Sequence, residues 1–249
     1  MNHKNTKKAK DSFHPYTNIV SIDPSTICSG VCVNGKLYTV TQHQVAYTKN
    51  DRLKRWFESS SSVCDIITYP ARIKTDTYSN EEISKLSYYS NISSIIINAI
   101  ASNISDPRKT IVLLEGYSYS SRAGHLIDLV GVSTLIRLEL LNLEYNIRIV
   151  APSELKMMSA KLSYDPINVG KRKPKLEWRN KKGVSGGSFD KHDMFNAILD
   201  SKHTTSPWKD FLKSSADDIL SMKSIPKPIE DVNDAFLLYK ICENDIIYY

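Results

Sequence analysis

The chain has 249 residues, 41% hydrophobic and 24% charged, with a net charge of +6 and a pI near 9.0. That is an ordinary globular composition, and its basic excess favours a polyanionic partner over an acidic or neutral one. No run approaches the ~18–20 apolar residues of a membrane span, and the first sixteen residues have no apolar signal-peptide core. Cys28, Cys32, Cys64 and Cys242 have neither paired nor zinc-like spacing. A membrane protein, a secreted protein and a zinc site are therefore set aside, and four reduced thiols in a cytoplasmic protein (host cytoplasm, if viral) are expected.

Residues 1–16, with Lys4, Lys7, Lys8 and Lys10, predict a flexible basic arm. Residues 17–249 predict one domain carrying a basic insertion at about 161–189. Strand-like alternation runs from Asn18 to Cys32, broken near Pro24-Ser25-Thr26. A hairpin follows, because Val31–Val33 and Leu37–Val40 flank the turn pair Asn34-Gly35. Residues 50–78 read as irregular, with one short helix at Leu53–Phe57. Ser79 and Glu82 have capping-box spacing. Behind them Ile83, Leu86, Tyr89, Ile92, Ile96 and Ile100 recur at helical period, predicting a long helix to Ala101. Asp106-Pro107 breaks it.

Thr110–Leu114 is short, apolar and β-branched, which predicts a buried strand. Leu126, Leu129, Val130, Ser133, Ile136, Arg137 and Leu140 predict the next helix, and Asn146–Val150 a strand closed by Ala151-Pro152. From Lys161 to Ser188 periodicity disappears. Lys171-Arg172-Lys173-Pro174-Lys175 and Arg179-Asn180-Lys181-Lys182 form a basic block there, and Gly183–Gly187 reads as a junction between ordered and mobile chain. Helices resume at Asp190–Asp200 and Asp231–Ile241. The pattern is mixed α/β with one central sheet flanked by helices.

Four acids stand out against this frame. Asp23 lies at the end of the first strand, Glu115 ends the apolar run Ile111–Leu114, and Asp231 and Asp234 open the last helix three residues apart. Singly, each has an ordinary structural role: Asp23 caps a turn before Pro24, and acids in a first turn complement the helix dipole. Together they suit metal-assisted phosphodiester hydrolysis, in which two divalent cations about 3.5–4 Å apart activate water and offset charge on the attacking and leaving oxygens. Magnesium prefers oxygen ligands, strands ~4.8 Å apart can share an ion, and helix positions i and i+3 share a face. Asp217-Asp218 and Asp190/Asp193 are weaker pairs, since no comparably apolar helix follows either. His125 and His192 read as surface or polar-network residues, and no serine or cysteine triad spacing is present.

At these positions the sequence resembles the RuvC family of Holliday junction resolvases, in particular its phage-type branch. The likeness rests on Ile22-Asp23-Pro24-Ser25-Thr26 with Gly30 following, Leu113-Leu114-Glu115-Gly116-Tyr117-Ser118, and Gly131 in the next helix. It continues through Ala151-Pro152-Ser153-Glu154-Leu155-Lys156, Asp190-Lys191-His192-Asp193-Met194 and Asp231-x-x-Asp234-Ala235. The resemblance implies a ribonuclease H-like fold and a homodimer that nicks a four-way DNA junction symmetrically. It implies two magnesium ions per site, with manganese as a substitute. It makes Asp23, Glu115, Asp231 and Asp234 the catalytic metal ligands, and Lys156 and Lys191 the residues holding the DNA backbone; as residues alone the two lysines read equally as surface groups.

Departures from the family pattern fall outside the acids. Lys156 and Lys191 are separated by a wider gap than the family commonly has, filled by the basic block. Lys171, Arg172, Lys173 and Lys175 there are expected to lie on a DNA arm, with dimerisation or another partner as alternatives. Tyr117 and Tyr119 stand near the family's aromatic wedge, out of clean register. Either stacks on an unpaired base or packs at the strand end. Two other functions stay open: a ribonuclease H-like nuclease for other branched or packaged viral DNA or for RNA–DNA hybrids, and a non-catalytic structural DNA-binding protein.

Overall fold

Alternation along two strands decides the layout. The computed structural model describes residues 16–48, 50–117, 123–170, 173–202, 204–244 and 246. Strand β1 (Asn18–Asp23) sends Val20 and Ile22 to one face and Ile19 and Ser21 to the other. β2 (Cys28–Val33) pairs antiparallel with β1 and forms the expected hairpin with β3 (Lys36–Gln42). Asn34 and Gly35 both take positive φ, 49° and 86°, as a tight primed turn requires. A short helix α1 (His43–Ala46) and α2 (Asp51–Ser60) lead to β4 (Asp65–Tyr69), which pairs parallel with β3.

The long helix α3 (Tyr78–Ala101) begins two residues earlier than the capping-box spacing indicated. Thr77 is its N-cap, its hydroxyl accepting from the Asn80 N–H, and Ser79 lies inside the helix. Next come β5 (Thr110–Glu115), α4 (Ala123–Asn142), β6 (Asn146–Val150) and α5 (Pro152–Ser163). A hairpin of β7 (Pro166–Asn168) and β8 (Leu176–Trp178) precedes α6 (Lys191–Asp200), α7 (Pro207–Ser214), α8 (Ala216–Leu220) and α9 (Ile229–Glu243).

The main sheet has the order β4-β3-β2-β1-β5-β6, with β2 alone antiparallel to its neighbours. Helices α3 and α4 close one face over Val20, Ile22, Val112 and Leu114. Helices α5, α6, α7 and α9 cover the other over Cys32, Ile111 and Leu113. This is the α/β architecture expected from the sequence, a mixed central sheet flanked by helices. Among the described residues all four cysteines are buried and form no disulfide, and no helix is long and apolar enough to cross a membrane.

Two expectations need correction. β4 and the longer α2 replace the irregular stretch predicted for residues 50–78. β6 ends at Val150 as expected, and α5, which the sequence reading left unassigned, opens with Pro152 in its first turn, where the missing N–H costs nothing. Gly183 and Gly187 lie in ordered chain: Asn180 N–H donates to the Val184 carbonyl, and Arg179 bridges Ser185. Expectations on residues 1–15, Tyr119, Lys171 and Arg172 lie outside the described residues.

Candidate metal centre

Period-two alternation carries Asp23 and Glu115 to the same face as Ile19, Ser21, Ile111 and Leu113. β1 and β5 are neighbouring parallel strands with Ile22 opposite Leu114, so the two acids end their strands side by side. The third acid arrives from above. α9 is buried on nearly every side, so each polar residue in it needs a partner. Asn233 Oδ1 accepts from the Trp208 indole at 2.9 Å. Asp234 is bonded by Lys191, and Asp231 by Lys227.

Two contacts set the height of α9 over the sheet. The Ser21 hydroxyl donates to the Ala235 carbonyl at 2.6 Å. Gly30 lies directly beneath Asp231, where a Cβ would stand 2.1 Å from the Asp231 carbonyl oxygen. This close approach brings one carboxylate oxygen each from Asp23, Glu115 and Asp234 within 4.8 Å of one another. Around an octahedral magnesium ion with bonds of about 2.1 Å, adjacent oxygens are ~3.0 Å apart and opposite ones ~4.2 Å, so a trio grouped this closely can converge on one ion.

Asp231 stands apart from the trio. In place of the four-acid cage expected from the sequence, three acids cluster; Asp231 lines the same cavity, its Oδ1 bonded by the Lys227 ammonium, which also reaches Glu230 at 3.6 Å. Asp231 Oδ2 is buried without a hydrogen bond from the described residues.

Electrostatics follow from this crowding. Burial, then the charges of Glu115, Asp234 and Asp231, push the Asp23 carboxyl well above its ordinary range, with Lys191 opposing. Burial and the charge on Asp234 push Glu115 up to about 7. Asp231 and Asp234 are also raised by burial, against the pull of Lys227 and Lys191 respectively. Burial works to lower both lysines, but the surrounding carboxylates prevail and hold them above the ordinary lysine range. Near neutral pH such a cluster retains protons or takes up a cation.

A cavity of about 350 Å³ opens over the acids. Lys156, on α5, lines it and has no carboxylate partner among the described residues. Lys191 lines it at the start of α6, but is bonded to Asp234 and lies 3.5 Å from Glu230. Tyr117 also faces the cavity, with the Arg137 guanidinium over its ring at 4.6 Å, so one ring face is occupied within the chain. Lys173 and Lys175 are exposed near the β7–β8 hairpin, outside the cavity lining, and Lys175 pairs with Glu177 at 2.9 Å. The discarded pair Asp190/Asp193 is consumed by a reciprocal cap on α6.

Sequence reasoning missed Lys227 and Glu230 and underrated His125, which lines the cavity. Lys227 carried one usable signal, its position four residues before Asp231; His125 carried none.

No protein-family model matches the chain, and no curated protein does. Among solved structures it is similar to "Thermus thermophilus RuvC structure", with TM-score 0.42 and 11% identity over 92% of this chain and 96% of that one. "T. thermophilus RuvC in complex with Holliday junction substrate" gives TM-score 0.41 and 11% identity over 91% and 92%. Similarity of this extent transfers no residue's role.

Proposed function

We propose that this chain is a metal-dependent nuclease that resolves four-way DNA junctions. The observation that carries the hydrolytic part is the trio Asp23, Glu115 and Asp234, three hard oxygen donors within 4.8 Å of one another, of which Asp23 and Glu115 line an open cavity. Their chemistry fits magnesium, with manganese as a substitute. When bound there, the ion supplies an activated water and offsets the charge that develops on phosphate oxygens.

The chain's own residues account for the remainder. Asp23 and Glu115 are fixed by paired strands, and Asp234 by the docking of α9 over Gly30 and Ser21. Lys156 draws a phosphate to the cavity as a point charge. Hydrolysis forms one phosphorus–oxygen bond to water and breaks one to the leaving sugar oxygen, which takes up a proton. Lys173 and Lys175, with Lys171 and Arg172, follow a DNA arm and contact phosphate rather than base edges. Tyr117 presents its remaining ring face to the substrate.

Preference for a four-way junction is drawn from two-fold matching: a C2 dimer sets two sites against two opposed strands. The exposed α4 side chains Ile127, Leu138 and Leu141 recur at a near-heptad spacing and supply an apolar face for the second copy.

The test is cleavage of a synthetic mobile junction in magnesium, with cuts mapped on all four strands beside a Y-fork, a nicked duplex and an RNA–DNA hybrid. Paired symmetric nicks in the junction are expected. Preference for another substrate removes the resolvase assignment while keeping the nuclease. DNA binding with no cleavage under any divalent ion refutes both.

A further inference from the structure

Lys227 is placed as a built-in cation. It sits just before α9, and its ammonium is bonded to Asp231 and lies 3.6 Å from Glu230. These partners are four and three residues further along the same segment, so the arrangement is local. The ammonium also lines the cavity that holds Asp23, Glu115 and Lys156. Lys191 differs: it takes an oxygen of Asp234, one of the three clustered ligands, so an ion entering the trio competes with it. Lys227 pairs with Asp231 and Glu230, neither of which the trio includes.

We propose that the Lys227 ammonium takes the place of a second divalent cation, leaving Asp23, Glu115 and Asp234 to hold a single ion. This rests on reading the site as a hydrolytic metal centre and departs from the two-ion arrangement that the family resemblance implies. A divalent ion at Asp231 would have to share one carboxylate with the Lys227 ammonium, and like charges at that separation repel. The fixed ammonium already supplies positive charge beside the cavity.

The test counts ions in two ways on the full-length protein. Titration of the metal-free protein with manganese, read by electron paramagnetic resonance, is expected to give about one tight ion per chain. Single-turnover junction cleavage is expected to depend on magnesium with a Hill coefficient of about 1. Asp231→Asn should leave manganese affinity within about threefold, while Asp234→Asn weakens it at least about tenfold. Lys227→Gln, which frees Asp231, should raise the manganese count to about two. Two ions on the unaltered protein, or a Hill coefficient near 2, overturns the inference whether or not any variant folds. So does Lys227→Gln that folds and keeps the count at one. Absence of both manganese binding and cleavage instead removes the metal-centre reading itself.

Discussion

Replacing Gly30 by alanine adds one carbon where α9 leaves no room. That carbon would lie 2.1 Å from the Asp231 carbonyl oxygen and 2.5 Å from its carbonyl carbon, against 3.4 Å or more for ordinary contact. β2 is hydrogen-bonded to strands on both sides, so the helix yields, by roughly 1 Å. Overpacking of this kind costs about 1–3 kcal/mol, which for a chain of this size lowers Tm by roughly 2–4 °C per kcal/mol. Asp234 rides on the same helix and moves with it. Manganese affinity should fall at least about tenfold, and junction cleavage about a hundredfold, as a 1 Å misplacement does elsewhere. Gly131→Ala is the control: its added carbon would meet the Tyr89 ring at 2.7 Å, between α3 and α4 on the opposite face of the sheet. It should lower Tm comparably and leave manganese affinity unchanged. Melting curves and manganese titrations on both variants decide the matter; Gly30→Ala with affinity and cleavage within about threefold of the original refutes the reasoning.

Stability of the metal-free protein should fall as pH rises. Glu115 sits near 7 folded against 4.5 as a free side chain, so the folded state holds the proton more tightly; stability is lost between those values and is level above them, by about 3 kcal/mol. Melts in chelator at pH 5 and pH 8 check this, and added manganese should recover more at pH 8; stability rising across that window contradicts the assignment. Asp23→Asn should reduce cleavage at least about a thousandfold while junction affinity in a gel-shift assay stays near its original value; collapse of binding would make the acid structural. Neutralising Lys171, Arg172, Lys173 and Lys175 together should cut the salt slope of DNA binding by about 2–3, less than four charges would give because Lys175 already pairs with Glu177. An unchanged slope assigns the loop another role.

Hydrophobic period and turn chemistry made much of this molecule legible. Asn34-Gly35 fixed the hairpin, and β-branched runs located β1, β5 and β6, which is why two acids could be set on adjacent strand ends before any coordinates. What escaped was decided by tertiary context. β4 (Asp65–Tyr69) went unread inside a stretch taken as irregular. Pro152 does follow the end of β6 as expected, and it also opens α5, since proline suits both a strand's exit and a helix's first turn. β7 and β8 have three residues each. Asp231 was grouped with Asp234 because i and i+3 share a helical face, but spacing alone does not show which lysine will claim a carboxylate.

The three clustered acids come from widely separated stretches of chain, and the helix bearing Asp234 follows every strand of the sheet. A polypeptide emerging from the ribosome has Asp23 and Glu115 long before it has the residue that closes the trio. Until residues 229–243 are made and docked, the nascent chain cannot grip a cation, and whatever hydrolytic capacity the finished protein has is withheld during its own synthesis.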